Sequence, residues 1–349
     1  MKTKVCVIGH FGGNKVYLDG QTIKTKMVTA ELKKQLGEDN VDILDTHGGK
    51  KALIKYFIKA FSALKNSENI IMLPAHNGVR FFAPVLLLWN TLFHRRLHYS
   101  VIGGWLPELT KNNKGLGKRL KKFDYIYVET DTMKKALEEQ GFTNITVVPN
   151  CKELVPLKSE DLVYHTEKPF RLCTFSRVNR KKGIEDAANV IRQINEESGR
   201  TVYELDIYGR IDEGEEEWFE SFTKSSPDYI KYCGQIPAEH SVEVIKNYFA
   251  LLFPTKYYTE GIPGTIIDAY FAGVPVVSSI WQSYHDIVDD NVTGIGYEFD
   301  NLNDLKQKLL DIEKYADNFN ALKINSLAKS LNYTPSVALR SMIDNILNR

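Results

Sequence analysis

Phe253–Ser279 reads FPTKYYTEGIPGTIIDAYFAGVPVVSS and sets two carboxylates, Glu260 and Asp268, eight residues apart across a glycine-rich turn. The apolar run Ala250–Phe253 reads as a buried strand closed by Pro254, and Gly273–Val277 reads as the next strand. Gly264–Ala272 is therefore predicted to be the helix between two parallel strands. One acid then lies in the loop and the other inside the helix. Unpaired amides and the helix dipole favour a phosphate at the helix start, which places both carboxylates beside one anionic ligand. Carboxylates do not bind phosphate; they suit hydroxyls of a sugar or a ribose.

Outward from this stretch, strand and helix patterns alternate in two series. The first comprises strands at Val5–Gly9, Val41–Leu44, Ile70–Leu73, Tyr99–Ile102, Tyr125–Val128 and Ile145–Val148, with helices at Thr22–Leu36, Lys51–Ser67, Val79–Phe93 and Thr132–Gln140. A polar connector without a clear period, Pro149–Lys168, reads as a linker. The second series has strands at Phe170–Phe175, Glu204–Tyr208, Ile230–Tyr232, Ala250–Phe253 and Val274–Val277. The expected class is α/β, with two Rossmann-like, doubly wound parallel sheets and ligands at the carboxyl ends of the strands.

A chain of 349 residues, 43% hydrophobic, supplies two domain cores. Four scattered cysteines, Cys6, Cys151, Cys173 and Cys233, lack metal-ligand spacing and point to reduced thiols in a cytoplasm. The start, MKTKVCVIGHF, runs directly into a strand and a glycine loop, and reads as cytosolic with neither signal peptide nor membrane span. The net charge of +1 conceals an asymmetry: residues 1–150 hold 23 Lys and Arg against 13 Asp and Glu, and the remainder 22 against 31. Lys111–Lys122, KNNKGLGKRLKK, has six cations and no acid; it is either a solvated helix face or a surface for anionic lipid. Without interleaved aromatics, nucleic acid is not the expected partner.

The ordered set Ser176-Arg177 with Lys182-Gly183, Ile207-Tyr-Gly209, Tyr232-Cys-Gly234, Pro254, Glu260 with Asp268, Ala272-Gly-Val-Pro275 and Thr293-Gly294 resembles glycosyltransferase family 4. These are retaining nucleotide-sugar transferases of GT-B fold. The resemblance spans nearly the whole chain and rests on order and spacing, since each short motif alone is weak. It implies an acceptor-binding domain at 1–160 plus 335–349, in which the helix Ser336–Leu347 crosses back, and a donor-binding domain at 165–334. It also implies a donor in an interdomain cleft, with no cofactor and no essential metal.

Residue by residue, the resemblance gives Arg177 and Lys182 the role of neutralising the diphosphate as it leaves. Glu260 would contact the transferred sugar, and Asp268, one methylene shorter than the usual Glu, the ribose. Gly264 and Thr265 can offer amides to phosphate or sugar, whereas Pro263 stands where relatives often have a donor. Gly209, Arg210, Gln235 and Ile236 are candidate walls of the base pocket; ordinary loop residues are an equal reading. In the first series, Gly9–Gly13 and the Asp19–Thr22 helix start are candidate glycine loops, with Gly20 the better match and Gln21, Thr22 and Lys24 facing the acceptor.

Many relatives place a histidine after the fifth N-terminal strand, but the corresponding stretch here, Ser100–Trp105, has none. His76, after the preceding strand, is the candidate to fill that space; its other readings are a loop histidine or an acceptor contact. The run Phe81–Phe93, FFAPVLLLWNTLF, is too short to span a bilayer and reads as a core helix or as part of a membrane interface. The expected substrates are a hexose-type sugar on a nucleotide diphosphate, UDP for preference, and a glycan or polyprenyl-diphosphate-linked acceptor of surface polysaccharide synthesis. A nucleotide-sugar 2-epimerase of the same fold and a non-catalytic partner subunit remain as alternatives.

Overall fold

The computed structural model describes residues 2–13, 20–48 and 53–347. Asn14–Leu18, Asp19 and the first two residues of the helix expected from Lys51 lie outside the described residues. The chain divides into two compact units, Met1–Glu153 with Pro335–Arg349, and Leu154–Thr334.

In the first unit, β1 (Thr3–Gly9), β2 (Val41–Asp45), β3 (Ser67–Met72), β4 (Arg96–Ser100), β5 (Tyr125–Val128) and β6 (Ile145–Val147) form a sheet of order β2-β1-β3-β4-β5-β6. Neighbouring strands pair in parallel throughout. β4 begins three residues before the expected Tyr99, because Arg96 and His98 hide a strand whose polar members are satisfied internally. The buried His98 ring sits 2.9 Å from the Tyr127 hydroxyl and 3.2 Å from Asn69 Oδ1, and burial, reinforced by Arg96, pushes its pKa down to about 3.

The helix Arg340–Leu347 closes this unit: Met342, Ile343 and Ile346 pack with Val5, Val7 and Ile71. Arg96 anchors it by donating to the carbonyls of Asn345 and Ile346, both at 3.2 Å. The helix expected at Val79–Phe93 starts earlier, at His76, and buries Val79, Phe82, Ala83, Val85 and Leu86 while leaving Leu88 and Leu92 exposed. Lys24 does not face an acceptor. Its ammonium is buried, 2.6 Å from Glu129 Oε1 and 2.9 Å from the Val101 carbonyl.

The second unit contains β7 (Phe170–Phe175), β8 (Tyr203–Tyr208), β9 (Ile230–Gly234), β10 (Ala250–Phe253), β11 (Val276–Ser279) and β12 (Gly294–Tyr297) in the order β12-β11-β10-β7-β8-β9, also parallel. β11 starts after Pro275, which has no N–H to give to the ladder, although its carbonyl accepts from Leu251 N at 3.0 Å. The connector is not a free linker along its whole length. Leu154, Leu157 and Leu162 pack against the second unit's core, and Leu157 N donates to the Phe271 carbonyl.

Beyond the strand ends, the chain after β7 is stitched to two neighbouring loops. Val178 N donates to the Arg210 carbonyl (2.8 Å) and Asp212 N to the Val178 carbonyl (3.0 Å), while Lys256 N donates to the Lys181 carbonyl (2.8 Å). Gly183 makes the closest approach: at φ +67°, a Cβ there would lie 1.9 Å from the Pro254 carbonyl oxygen. Backbone cannot yield as a side-chain tip would. Gly183→Ala should therefore cost about 3 kcal/mol or more, combining left-handed strain with the clash. Urea denaturation followed by tryptophan fluorescence checks this, and an unchanged midpoint would contradict the packing described.

Candidate functional site

The chain after β10, Pro254–Pro263, carries Glu260 to a position 2.5 Å from the ammonium of Lys182, which lies on the short turn Arg180–Lys182 after β7. Both side chains are largely covered, at 12% and 21% exposure. Thr255 Oγ1 donates to the same Glu260 oxygen at 3.3 Å, so two donors orient one carboxylate oxygen. The Lys182 ammonium also lies 5.4 Å from the Phe253 ring centre and 5.0 Å from that of Tyr257. A cation held by rings and a carboxylate in a half-buried place can receive a second anion without moving.

Arg177 belongs to a second cluster. Asp212, after β8, accepts from Arg177 Nη1 at 3.1 Å and from Asn179 Nδ2 at 2.8 Å, with Arg210 Nη2 at 3.9 Å from its other oxygen. The Arg177 side chain is 57% exposed, so most of its guanidinium fork faces solvent. The sequence reading named Arg177 and Arg210 and missed both Asp212 and Asn179. Their grouping follows from the extended pairing of Val178 with Ile211, a non-local register without a local motif. Gly209, at φ +141°, permits it: a Cβ would fall 1.8 Å from the Ser176 carbonyl oxygen.

The helix Gly264–Phe271 starts after Pro263, which makes no side-chain cap. A helix's first amides have no partner within the helix, so those of Gly264 and Thr265 are available to a ligand. The Thr265 hydroxyl is buried and without a hydrogen-bond partner. Asp268, one turn on, is 2% exposed and accepts from Ser241 Oγ at 3.0 Å. It is thus already engaged with the neighbouring helix Ser241–Ile245. Gln235 and Ile236 follow β9, the first exposed and the second partly so. Gly209, Arg210, Gln235, Gly264, Glu260, Arg177 and Lys182 therefore all lie beyond the carboxyl ends of strands in one sheet.

In the first unit, His76 opens its helix and is exposed, with its ring 5.2 Å from that of Trp105 in an edge-on contact. It therefore stands beside the Ser100–Trp105 stretch that lacks histidine. Gly20 opens the helix Gly20–Leu36, and a Cβ there would meet nothing within 4 Å, so no packing in this unit demands glycine. Gln21 turns inward and donates to the Leu73 carbonyl at 3.3 Å, and Thr22 is buried with its hydroxyl 2.8 Å from His10 Nδ1. Among the described residues, no group of three or more His, Cys, Asp or Glu could hold a metal ion.

Residues 169–314 match the family described as glycosyl transferases group 1. The second unit carries a group 1 glycosyltransferase domain. Across 161 residues the chain is 26% identical to the amylovoran biosynthesis glycosyltransferase AmsK of Erwinia amylovora, a match covering 43% of this chain and 37% of that one. The chain thus matches little more than a third of that relative's length. A solved structure of HepE from Anabaena, in complex with UDP and glucose, superposes at a TM-score of 0.74 over 99% of this chain and 100% of that one, with 12% identity. The lipopolysaccharide outer core galactosyltransferase WaaB, in its apo form, superposes at 0.69 over 99% of both chains, with 16% identity. These likenesses establish the GT-B fold.

Within the group 1 domain, Asp212 neutralises arginines that would otherwise attract an anion. Asp212→Asn keeps the shape and one accepting oxygen but removes the charge. Inorganic pyrophosphate, as an anion probe, should bind about 2- to 5-fold more tightly at low salt, with the gain shrinking as salt screens it. Titration calorimetry at two salt concentrations checks this; weaker binding, or a gain unaffected by salt, would contradict the charge argument.

Proposed function

We propose that this chain is a retaining, metal-independent glycosyltransferase of family 4. It transfers a hexose-type sugar from a nucleotide diphosphate, with UDP the preferred base, to a hydroxyl of a glycan or polyprenyl-diphosphate-linked acceptor in surface polysaccharide synthesis. The observation that carries the reading is the oriented Lys182–Glu260 pair, with Arg177 on the same segment as Lys182, at the strand ends of a group 1 domain.

In this reading, the acceptor oxygen bonds to the anomeric carbon while the bond from that carbon to the β-phosphate oxygen breaks. The acceptor proton passes to the departing phosphate on the same face of the sugar. Arg177 and Lys182 stabilise the charge that grows on the leaving diphosphate, and Glu260 holds sugar hydroxyls. Asp268 serves the ribose, and His76 assists on the acceptor side.

A thermal-shift panel of UDP, GDP, ADP and dTDP tests the donor site, because a ligand bound only by the folded state raises its melting temperature. UDP is expected to give the largest rise, and no rise with any of the four would sink the reading. Arg177→Ala should weaken nucleotide diphosphate binding. Glu260→Ala should preserve nucleotide binding and lower turnover about 100-fold or more, on the scale of losing one transition-state contact. Turnover should survive EDTA, and product anomers read by NMR should keep the donor's configuration.

The six cations of Lys111–Lys122 are all exposed, four on the short helices Leu106–Asn112 and Lys114–Leu120 and two, Lys121 and Lys122, in the turn that follows, while Leu116 and Leu120 are buried. An anionic lipid surface suits such a face, and each cation near it contributes about 1 kcal/mol. No helix among the described residues is long and apolar enough to cross a membrane. Sedimentation with phosphatidylglycerol vesicles should recover the protein and neutral vesicles should not. Equal recovery with both would remove this part of the reading.

A further inference from the structure

The loop Pro254–Glu260 holds two adjacent tyrosines, and the first is built into the charged cluster described above. Tyr257 is partly buried, and its ring lies 5.0 Å from the Lys182 ammonium and 5.5 Å from that of Lys181. Its backbone N–H donates to Thr255 Oγ1 at 3.1 Å, the hydroxyl that in turn donates to Glu260. The backbone at Tyr257 is thereby tied to the frame that orients the carboxylate. The phenol makes no hydrogen bond among the described residues, and the charges it faces are Arg177, Glu260, Asp212 and Glu215. Burial raises its pKa; Arg177 opposes the rise, and the three acids add to it. It therefore remains protonated at neutral pH, a donor without an acceptor among the described residues, beside the ion pairs that Lys182 forms with Glu260 and Arg177 with Asp212.

We infer that Tyr257 is a donor-binding residue: its ring fixes Lys182 against Glu260, and its hydroxyl donates to an oxygen of the nucleotide diphosphate. This rests on the donor-site reading above and adds a third, uncharged donor to Arg177 and Lys182. Arginine and lysine attract any anion through charge. A phenol held at one angle rewards only an oxygen in the right place, so Tyr257 contributes selectivity for a correctly seated diphosphate.

Two variants of the full chain separate ring from hydroxyl, and two measurements separate this inference from the reading beneath it. Tyr257→Phe should weaken UDP about tenfold, the scale of one hydrogen bond to a charged group, and leave uridine unchanged. Tyr257→Leu should weaken UDP further, again sparing uridine, whose retained binding shows a folded site. Independently of any nucleotide, NMR of protein carrying carbon-13 lysine should show ring-current-shifted ε-protons for Lys182, assigned by Lys182→Arg. That shift should persist in Tyr257→Phe and change in Tyr257→Leu.

Wild-type affinity for UDP in Tyr257→Phe would overturn the hydroxyl's role, and an unchanged Lys182 signal in Tyr257→Leu would overturn the ring's. An equal loss of UDP and uridine in either variant would mark Tyr257 as merely structural. If the wild type bound no UDP, the donor reading and the hydroxyl's role would fall together, while the lysine signal would still decide the ring's.

Discussion

The chain between β7 and the helix Ile184–Ser198 is pressed against backbone on two sides, and the second unit's chemistry depends on that constraint. On one side it pairs with Arg210 and Asp212 through Val178; on the other, Gly183 lies against the Pro254 carbonyl and Lys181 accepts from Lys256. Arg177, Lys182, Arg210, Asp212 and Glu260 all hang from one of these three segments. A glycine with positive φ is needed at Gly183 because neither partner is a side chain that could turn away. The same demand recurs at Gly209 against Ser176, so the two closest approaches flank the segment that bears Arg177 and Lys182.

Such rigidity matters because the cations are already satisfied by acids. Lys182 is paired with Glu260, and Arg177 with Asp212. In the proposed reading, an incoming diphosphate would therefore meet ion pairs rather than bare charges, and would have to add to them or exchange with them. The half-buried lysine favours addition: one oxygen of Glu260 fixes it, and an ammonium has three protons to give. The exposed arginine favours sharing, since its planar fork can keep Asp212 on one nitrogen and take phosphate on another. Both routes keep the acids in place, which suits Glu260 if it is to hold sugar hydroxyls while its partner holds phosphate.

How much of this could be read in the sequence follows from whether each feature is local. The helix between β10 and β11 was plain, because Pro254, the glycines and two apolar runs lie within a single stretch. The six strands of the first sheet follow from the same alternation, as do five of the second; β12, Gly294–Tyr297, was not among the expected strands. β4 was displaced because a buried His98 satisfied by Tyr127 and Asn69 looks, in sequence, like a surface residue. Lys24 was misread for the same reason; its partner Glu129 lies 105 residues away. Asp212 escaped because it reaches Arg177 through pairing between two loops, and Tyr257 because nothing local separates it from Tyr258, which is exposed. Polar residues buried by distant partners are what periodicity cannot show.

The shortened acid shows how the site divides its labour. Asp268 is nearly sealed from solvent and bound by Ser241, so a ribose hydroxyl would have to join a carboxylate already in use. Thr265, in the first turn of the same helix, has a buried hydroxyl that lacks a partner, and the helix start has no side-chain cap. A buried hydroxyl left unpaired costs about 1–3 kcal/mol, which a ligand can recover by supplying the missing bond. In the proposed reading, affinity at this helix start comes first from its amides and from Thr265, both of which reward oxygen acceptors. In that reading Asp268 serves the ribose as an acceptor shared with Ser241, so its reach is set by the neighbouring helix as much as by the shorter side chain.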